Sequence, residues 1–304
     1  ATACPDTSFI PICVEREAVE MVIAMNIIDF RYRPNTREIL EGFFDVFGAF
    51  IQQDKGLTHD EYLAGAQTLD TIAEELKAGH MLRAVICGRD IETTFDVRSN
   101  NDQIAAFCAA HPELFVGFCG IDPHKGRLAV EEINTRVRKQ GFCGVALDPM
   151  HARIPADDAK YLPIYETCAA LDIPVVITGG PSRLIQGTVI EHGAPRYIDH
   201  VADLFPTLKI VISHGCWPFV TEAIGVVFRH ENVFMELSEY ETFPQANLYV
   251  EAANTIIGDK ILFASAHPGV DWRDAVQLYE ELPFHDKVRE KVLWKNAAHV
   301  LGLE

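Results

Sequence analysis

The sequence predicts an α/β fold, a (β/α)8 TIM barrel, on three observations. Short apolar runs recur along the chain, longer amphipathic stretches alternate with them, and no Gly-x-Gly-x-x-Gly follows the first run. The runs cover residues 27–30, 84–87, 115–119, 142–147, 174–177, 209–213, 233–237 and 261–265. Each is short, rich in Val, Ile and Phe, and bounded by Gly, Pro, Asp or Ser, which reads as a strand buried on both faces. Helical patterns occupy 61–78, 101–110, 128–140, 162–171, 195–204, 218–228 and 245–257, and 286–303 reads as a final helix capping the barrel. Strict alternation implies parallel pairing through right-handed crossovers, and eight repeats fit a closed barrel better than an open sheet.

With 304 residues the chain is near the upper limit for one hydrophobic core. No Ser/Gly/Pro-rich linker divides it, so residues 25–304 are read as one domain and residues 1–24 as an N-terminal extension. Twenty-six Lys plus Arg against 44 Asp plus Glu leave a net charge of −18, which disfavours nucleic acid as a partner. No apolar run approaches the roughly eighteen residues a bilayer-spanning helix needs, so no membrane role is expected. Eight cysteines without a C-x-x-C read as small buried thiols in a reduced, cytoplasmic setting.

In such barrels the loops leaving the strand C-termini form the active face. Arg31 and Arg33 end the first strand, Arg89 and Asp90 follow the second, Asp122 and His124 the third, and Asp148 the fourth. Thr178 with Gly179 and Gly180 follows the fifth, His214 the sixth, Ser238, Glu239 and Tyr240 the seventh, and Ala266 and His267 the eighth.

Several stretches, in order, carry a resemblance to a known family. They are Ile27-Ile28-Asp29, His111-Pro112-Glu113-Leu114-Phe115-Val116-Gly117 leading into Ile121-Asp122-Pro123, and Asp172-Ile173-Pro174-Val175-Val176-Ile177. They continue with Phe205-Pro206-Thr207-Leu208-Lys209-Ile210-Val211-Ile212-Ser213-His214-Gly215, Ile261-Leu262-Phe263-Ala264-Ser265 and Asn296-Ala297-Ala298. From about residue 26 to 303 the chain thus resembles the amidohydrolase superfamily, in the branch of aminocarboxymuconate-semialdehyde decarboxylase-like enzymes. The resemblance implies a homodimer and, in the ordinary member, a His-x-His metal pair at the first strand, a ligand histidine at the fifth and an acidic ligand after the eighth. Here the matching positions read Arg31-Tyr32-Arg33, Thr178 and Ala266, and only the sixth-strand histidine is retained, as His214. A guanidinium offers no lone pair and alanine no donor, so one imidazole and a hydroxyl fall short of the three protein ligands of a catalytic zinc. No metal and no cofactor are therefore expected.

Alternation along the first strand places Asp29, Arg31 and Arg33 on one face and Phe30 and Tyr32 on the other. Two guanidiniums about 6 Å apart repel by roughly 3 kcal/mol at an effective dielectric near 20, so an anion is required nearby. An internal partner, Asp29, Asp148 or Glu236, would make a structural ion network; an external one would make the arginines a fork for a substrate carboxylate or phosphate. The second reading is preferred, giving a small anionic substrate focused into a basic pocket of an acidic protein. Arg89 is a third clamp or a surface partner of Asp90. Beside arginines His214 is expected to be neutral and suited to accept a proton, the alternative being a packing histidine. Asp148 is either a second acid-base group or the arginines' counter-ion. Thr178, Glu239, Tyr240 and His267 complete the substrate-binding candidates from the active-face loops. The chemistry expected first is metal-independent hydrolysis of a small carboxylate-bearing lactone or amide. The alternatives are a metal-independent decarboxylase and an inactive anion-binding barrel.

Overall fold

The computed structural model describes residues 25–181 and 185–303; the expected extension, residues 1–24, lies outside the described residues. Eight strands form one sheet in sequential order: β1 (Ile27–Asp29), β2 (Met81–Cys87), β3 (Phe115–Gly120), β4 (Gly144–Leu147), β5 (Val175–Thr178), β6 (Ile210–Ser213), β7 (Val233–Glu236) and β8 (Ile261–Leu262). Every neighbouring pair is parallel. The first and last strands meet where the Phe30 N–H donates to the Phe263 carbonyl at 2.9 Å and the Ser265 N–H donates to Asp29 Oδ1 at 3.0 Å. This is the (β/α)8 barrel that the alternating pattern predicts.

Both strand faces are apolar because each packs against something. Ile28, Phe30, Val85, Phe118, Val176, Val211, Phe234 and Leu262 fill the barrel, closed by Ala297, Ala298 and Val300 of the last helix, Asn296–Leu301. The Phe118 ring needs the space that Gly144 leaves, since a Cβ there would lie 2.4 Å from it. The alternate residues Ile86, Val145, Ile177, Ile212 and Met235 face the surrounding helices. Each such burial contributes about 1.5–3 kcal/mol, which is why the runs read as continuous rather than alternating.

The structure departs from the sequence reading in the helical layer. The pattern over 61–78 is two helices, His59–Leu63 and Leu69–Ala78. Thr58 forms a capping box with Glu61, and Thr68 Oγ1 accepts from the Thr71 N–H at 3.2 Å, so each piece has its own start signal. The final stretch contains a wide turn, Lys291–Lys295, between Asp286–Glu290 and Asn296–Leu301. Four helices stand where the sequence reading placed none: the short Glu92–Phe95 and Pro149–Ala152, and the longer Trp272–Glu281 and 19-residue Arg37–Lys55, the last here α1. Leu40, Phe47 and Ile51 of α1 pack on Tyr62 and Leu63, forming a small separate core. Lys55 Nζ donates to the Gly269 carbonyl at 2.7 Å, tying the end of α1 to the loop after β8. Among the described residues no helix is long and apolar enough to cross a membrane.

Candidate active site

A cavity of about 110 Å3 opens at the C-terminal ends of β1 to β5. Arg31, Arg33, Arg89, Asp148 and Thr178 line it from the strand ends, and Ile39, Gly42, Phe43 and Val46 line it from α1. Five residues chosen from sequence therefore share one wall, and the opposite wall belongs to a helix that the sequence reading did not find.

β1 ends at Asp29, and strict alternation ends with it. Asp29 Oδ1 accepts from the Arg31 N–H at 3.0 Å while Oδ2 accepts from the Ser265 hydroxyl, fixing the chain as it leaves the strand. Burial, only partly offset by these hydrogen bonds, raises the Asp29 carboxyl to about 6. Phe30, expected on the outer face, instead enters the barrel, edge-on to Phe118 at 5.6 Å, and only Tyr32 joins the outer layer. Arg31 and Arg33 both reach the mouth.

Arg31 is 3% exposed, and its Nε is buried without a hydrogen-bond partner. Among the described residues neither Arg31 nor Arg33 has a carboxylate within ion-pair distance. The Arg33 guanidinium lies over the Phe43 ring at 5.5 Å, and that of Arg89 over Phe47 at 5.0 Å, so α1 supplies aromatic faces to both cations. Burial and the adjacent Arg31 and Arg89 lower Arg33 to about 10, which still leaves it protonated at neutral pH.

The internal partners proposed for the arginines divide unevenly. Arg89 Nε donates to Asp148 Oδ2 at 3.2 Å, whereas Asp90 is held by Lys125 at 2.7 and 2.9 Å; Asp90 is therefore not the partner of Arg89. Asp148 Oδ1 meets His151 Nδ1 at 2.5 Å. Burial would raise the Asp148 carboxyl, but His151, Arg89 and Arg31 outweigh it and hold the group well below the usual carboxylate range. Glu236 faces none of the guanidiniums by hydrogen bond. It accepts from the Ser213 hydroxyl, the His214 N–H at 3.2 Å and the Ser238 N–H at 2.8 Å, gripping the backbone beneath His214.

That grip holds an unusual turn. His214, Gly215 and Cys216 have φ of 60°, 59° and 53°, and for residues other than glycine such left-handed backbone costs about 1–3 kcal/mol. His214 Nδ1 lies 2.8 Å from the Ser238 carbonyl. A carbonyl only accepts, so the imidazole proton sits on Nδ1 and Nε2 carries the lone pair. Burial, reinforced by Arg31 and Arg33 against the hydrogen bond to Ser238, pushes the pKa well below 6.5. The Tyr240 ring is edge-on to His214 at 5.3 Å, with its hydroxyl committed to the Pro181 carbonyl at 2.6 Å.

Glu239 follows in left-handed backbone (φ 70°) and is open to solvent; crowding by protein raises its carboxyl, opposed by Arg33, Arg31 and Lys55. His267 is not brought to the cavity wall. Its ring stacks on Tyr32 at 4.8 Å, and burial lowers it to about 4, as befits a packed neutral imidazole. The Cys216 thiol is pushed far up by burial and is no nucleophile.

The family to which the sequence points ordinarily holds a metal here, and the residues present do not fit one. Among the described residues no three His, Cys, Asp or Glu side chains gather as a ligand set. His214 is one donor, both Asp148 oxygens are engaged, and three guanidiniums occupy the surrounding space.

An amidohydrolase family model matches residues 60–303, and the chain belongs to that family. The chain is similar to a gamma-resorcylate decarboxylase of Polaromonas sp., 24% identical over 250 residues, covering 68% of this chain and 76% of the relative. Among solved structures, an uncharacterised TIM-barrel protein from Bordetella bronchiseptica superposes with a TM-score of 0.76 at 28% identity, covering 91% of this chain and 99% of that one. A dihydroxybenzoic acid decarboxylase from Polaromonas sp., with bound manganese and the inhibitor 2-nitroresorcinol, has a TM-score of 0.68 at 20% identity, covering 92% and 97%.

Two features of the mouth were missed in the sequence. His151 stands three residues after Asp148 on the short helix Pro149–Ala152, a spacing that brings side chains together. In α1 the apolar positions 39, 40, 43, 44, 47, 50 and 51 repeat at threes and fours, a helical signal interrupted by Gly42 and Gly48.

Proposed function

We propose that this chain is a metal-independent lyase that removes the carboxyl group of a small aromatic carboxylate, bound at the mouth that Arg31 and Arg33 make positive. The observation that carries the reading is the pair of guanidiniums without carboxylate partners, facing an apolar and aromatic wall across one cavity. An aromatic carboxylate matches both walls: its anionic end makes charge-assisted, bidentate hydrogen bonds, and its ring lies against α1.

Carboxyl loss is favoured over the lactone or amide hydrolysis expected first. Two of the similar proteins, the gamma-resorcylate and dihydroxybenzoic acid enzymes, are decarboxylases. Asp148, one of the two groups expected to activate water, has both oxygens committed to Arg89 and His151. For a substrate with a hydroxyl beside the carboxylate, His214 Nε2 takes the hydroxyl proton and electron density moves onto the ring. Glu239, its pKa raised, delivers a proton to the ring carbon that bears the carboxylate. The bond between that carbon and the carboxyl carbon breaks, its electron pair restores the aromatic ring, and neutral CO2 leaves the guanidiniums. His214 returns its proton to the phenolate oxygen, and Glu239 recovers one from water.

The test is CO2 release from dihydroxybenzoates by chelator-treated protein in D2O. The reading predicts turnover that chelation leaves unchanged, one deuterium at the vacated ring carbon, and a loss of about a hundredfold or more in Arg31→Ala. Turnover abolished by chelator and restored by manganese contradicts it, as does oxygen-18 from labelled water appearing in a ring-opened acid.

A further inference from the structure

We infer that the substrate is a dianion, an aromatic acid with a second acidic group besides the carboxylate that is lost. The inference rests on the lyase reading and narrows its substrate class. Four guanidiniums line the cavity: Arg89 is bonded to the lining carboxylate Asp148, Arg98 is paired with Glu92, and Arg31 and Arg33 are bonded to no carboxylate. Of the other carboxylates near the barrel mouth, Glu38 and Glu239 are exposed and form no ion pair with Arg31 or Arg33, and three more are engaged elsewhere. Asp90 is paired with Lys125, Asp29 with Ser265 and the Arg31 backbone N–H, and Glu236 with Ser213, Ser238 and the His214 N–H. Two positive charges at the mouth are left without a bonded counter-ion.

The arrangement separates the two charges by role. Arg31 is deep, with its Nε buried and unpartnered, and His214, the group that takes the proton, feels Arg31 more strongly than Arg33. Arg33 lies farther out, half-buried, over Phe43 of α1. The principal charges acting on Arg33 are the guanidiniums of Arg31 and Arg89, with Glu239 the foremost carboxylate opposing them. A monoanion satisfying Arg31 leaves Arg33 facing like charges across a partly dehydrated cavity. A second carboxylate on the same ring, reaching Arg33, removes that excess. Arg31 thus holds the carboxylate that departs, and Arg33 the one that stays and keeps the product oriented while CO2 escapes.

The experiment is calorimetric titration of the full chain with benzoate and with the three benzenedicarboxylates, in wild type, Arg33→Gln and Arg33→Lys. At least one dicarboxylate is expected to bind about tenfold or more tightly than benzoate, a difference of about 1.4 kcal/mol. Its affinity should fall more steeply with added salt. Arg33→Gln should weaken the dicarboxylate about tenfold or more beyond any loss it causes for benzoate, so that the preference disappears, and Arg33→Lys should retain part of the preference. Benzoate binding as tightly as every dicarboxylate in wild type overturns the inference without reference to any variant, and so does a folded Arg33→Gln that weakens both ligand classes equally. Monocarboxylates that lose CO2 faster than dicarboxylates would remove the dianion while leaving the lyase standing. Tight dicarboxylate binding with no CO2 released from any aromatic acid would remove the lyase.

Discussion

Arg31 and Asp148 show how two buried charges in one cavity acquire opposite duties. Asp148 is spent on Arg89 and His151, so its loss leaves a guanidinium in the mouth without its carboxylate. Asp148→Asn should destabilise the fold by about 3 kcal/mol near neutral pH, the usual penalty for breaking one side of a buried pair. Because the folded-state pKa lies below the ordinary carboxylate value, this contribution is present above about pH 4 and is lost as the pH falls through the folded value. Urea unfolding of wild type and variant should therefore differ at pH 7 and converge in acid; a constant difference would contradict the assignment. Glu241 has the opposite sign. Burial raises its carboxyl to about 8, so the folded state is favoured while the group is protonated and loses that advantage as the pH rises from the ordinary glutamate range through about 8. Glu241→Gln should be more stable than wild type near pH 9 and no more stable near pH 4, read as the shift in Tm.

At the scale of elements, α1 decides what fits beside the arginines. It was illegible as a helix because Gly42 and Gly48 lower its propensity and its apolar face turns both to a local core and to the cavity. Gly42 lines the cavity with nothing within 4 Å of where a Cβ would stand. Gly42→Leu should leave Tm unchanged or slightly higher, since replacing a mid-helix glycine favours the helix by about 0.5–1 kcal/mol. The same change should weaken benzoate binding at least tenfold by filling the space for the ring. Unchanged binding would place the ligand away from α1. The strands were legible for the converse reason: burial on both faces writes each as a continuous apolar run, and all eight observed strands fall within or within three residues of the expected runs at both ends. β8 is reduced to Ile261–Leu262, because beyond it the backbone turns to bond with β1 through Phe263 and Ser265.

For the whole molecule, the barrel explains why residues from 31 to 178 line one cavity at one end, and that part of the site followed from topology alone. What topology left open was each side chain's partner. Arg89 had two acidic neighbours in prospect and took the distant one, Asp148, while His267 turned to Tyr32 and away from the mouth. Such choices depend on distances across the barrel that a strand-end list does not contain. An acidic protein with a basic cavity also predicts that small aromatic anions associate faster at low ionic strength, and a rate independent of salt would argue against guanidiniums as the receiving charges. The most direct test is a crystal structure with a bound benzenedicarboxylate, collected with anomalous data at the manganese and zinc edges. Carboxylate oxygens within hydrogen-bond distance of Arg31 and Arg33, with no anomalous peak beside His214, are predicted; a metal ion between His214 and Asp148, holding the carboxylate in place of the arginines, would contradict it.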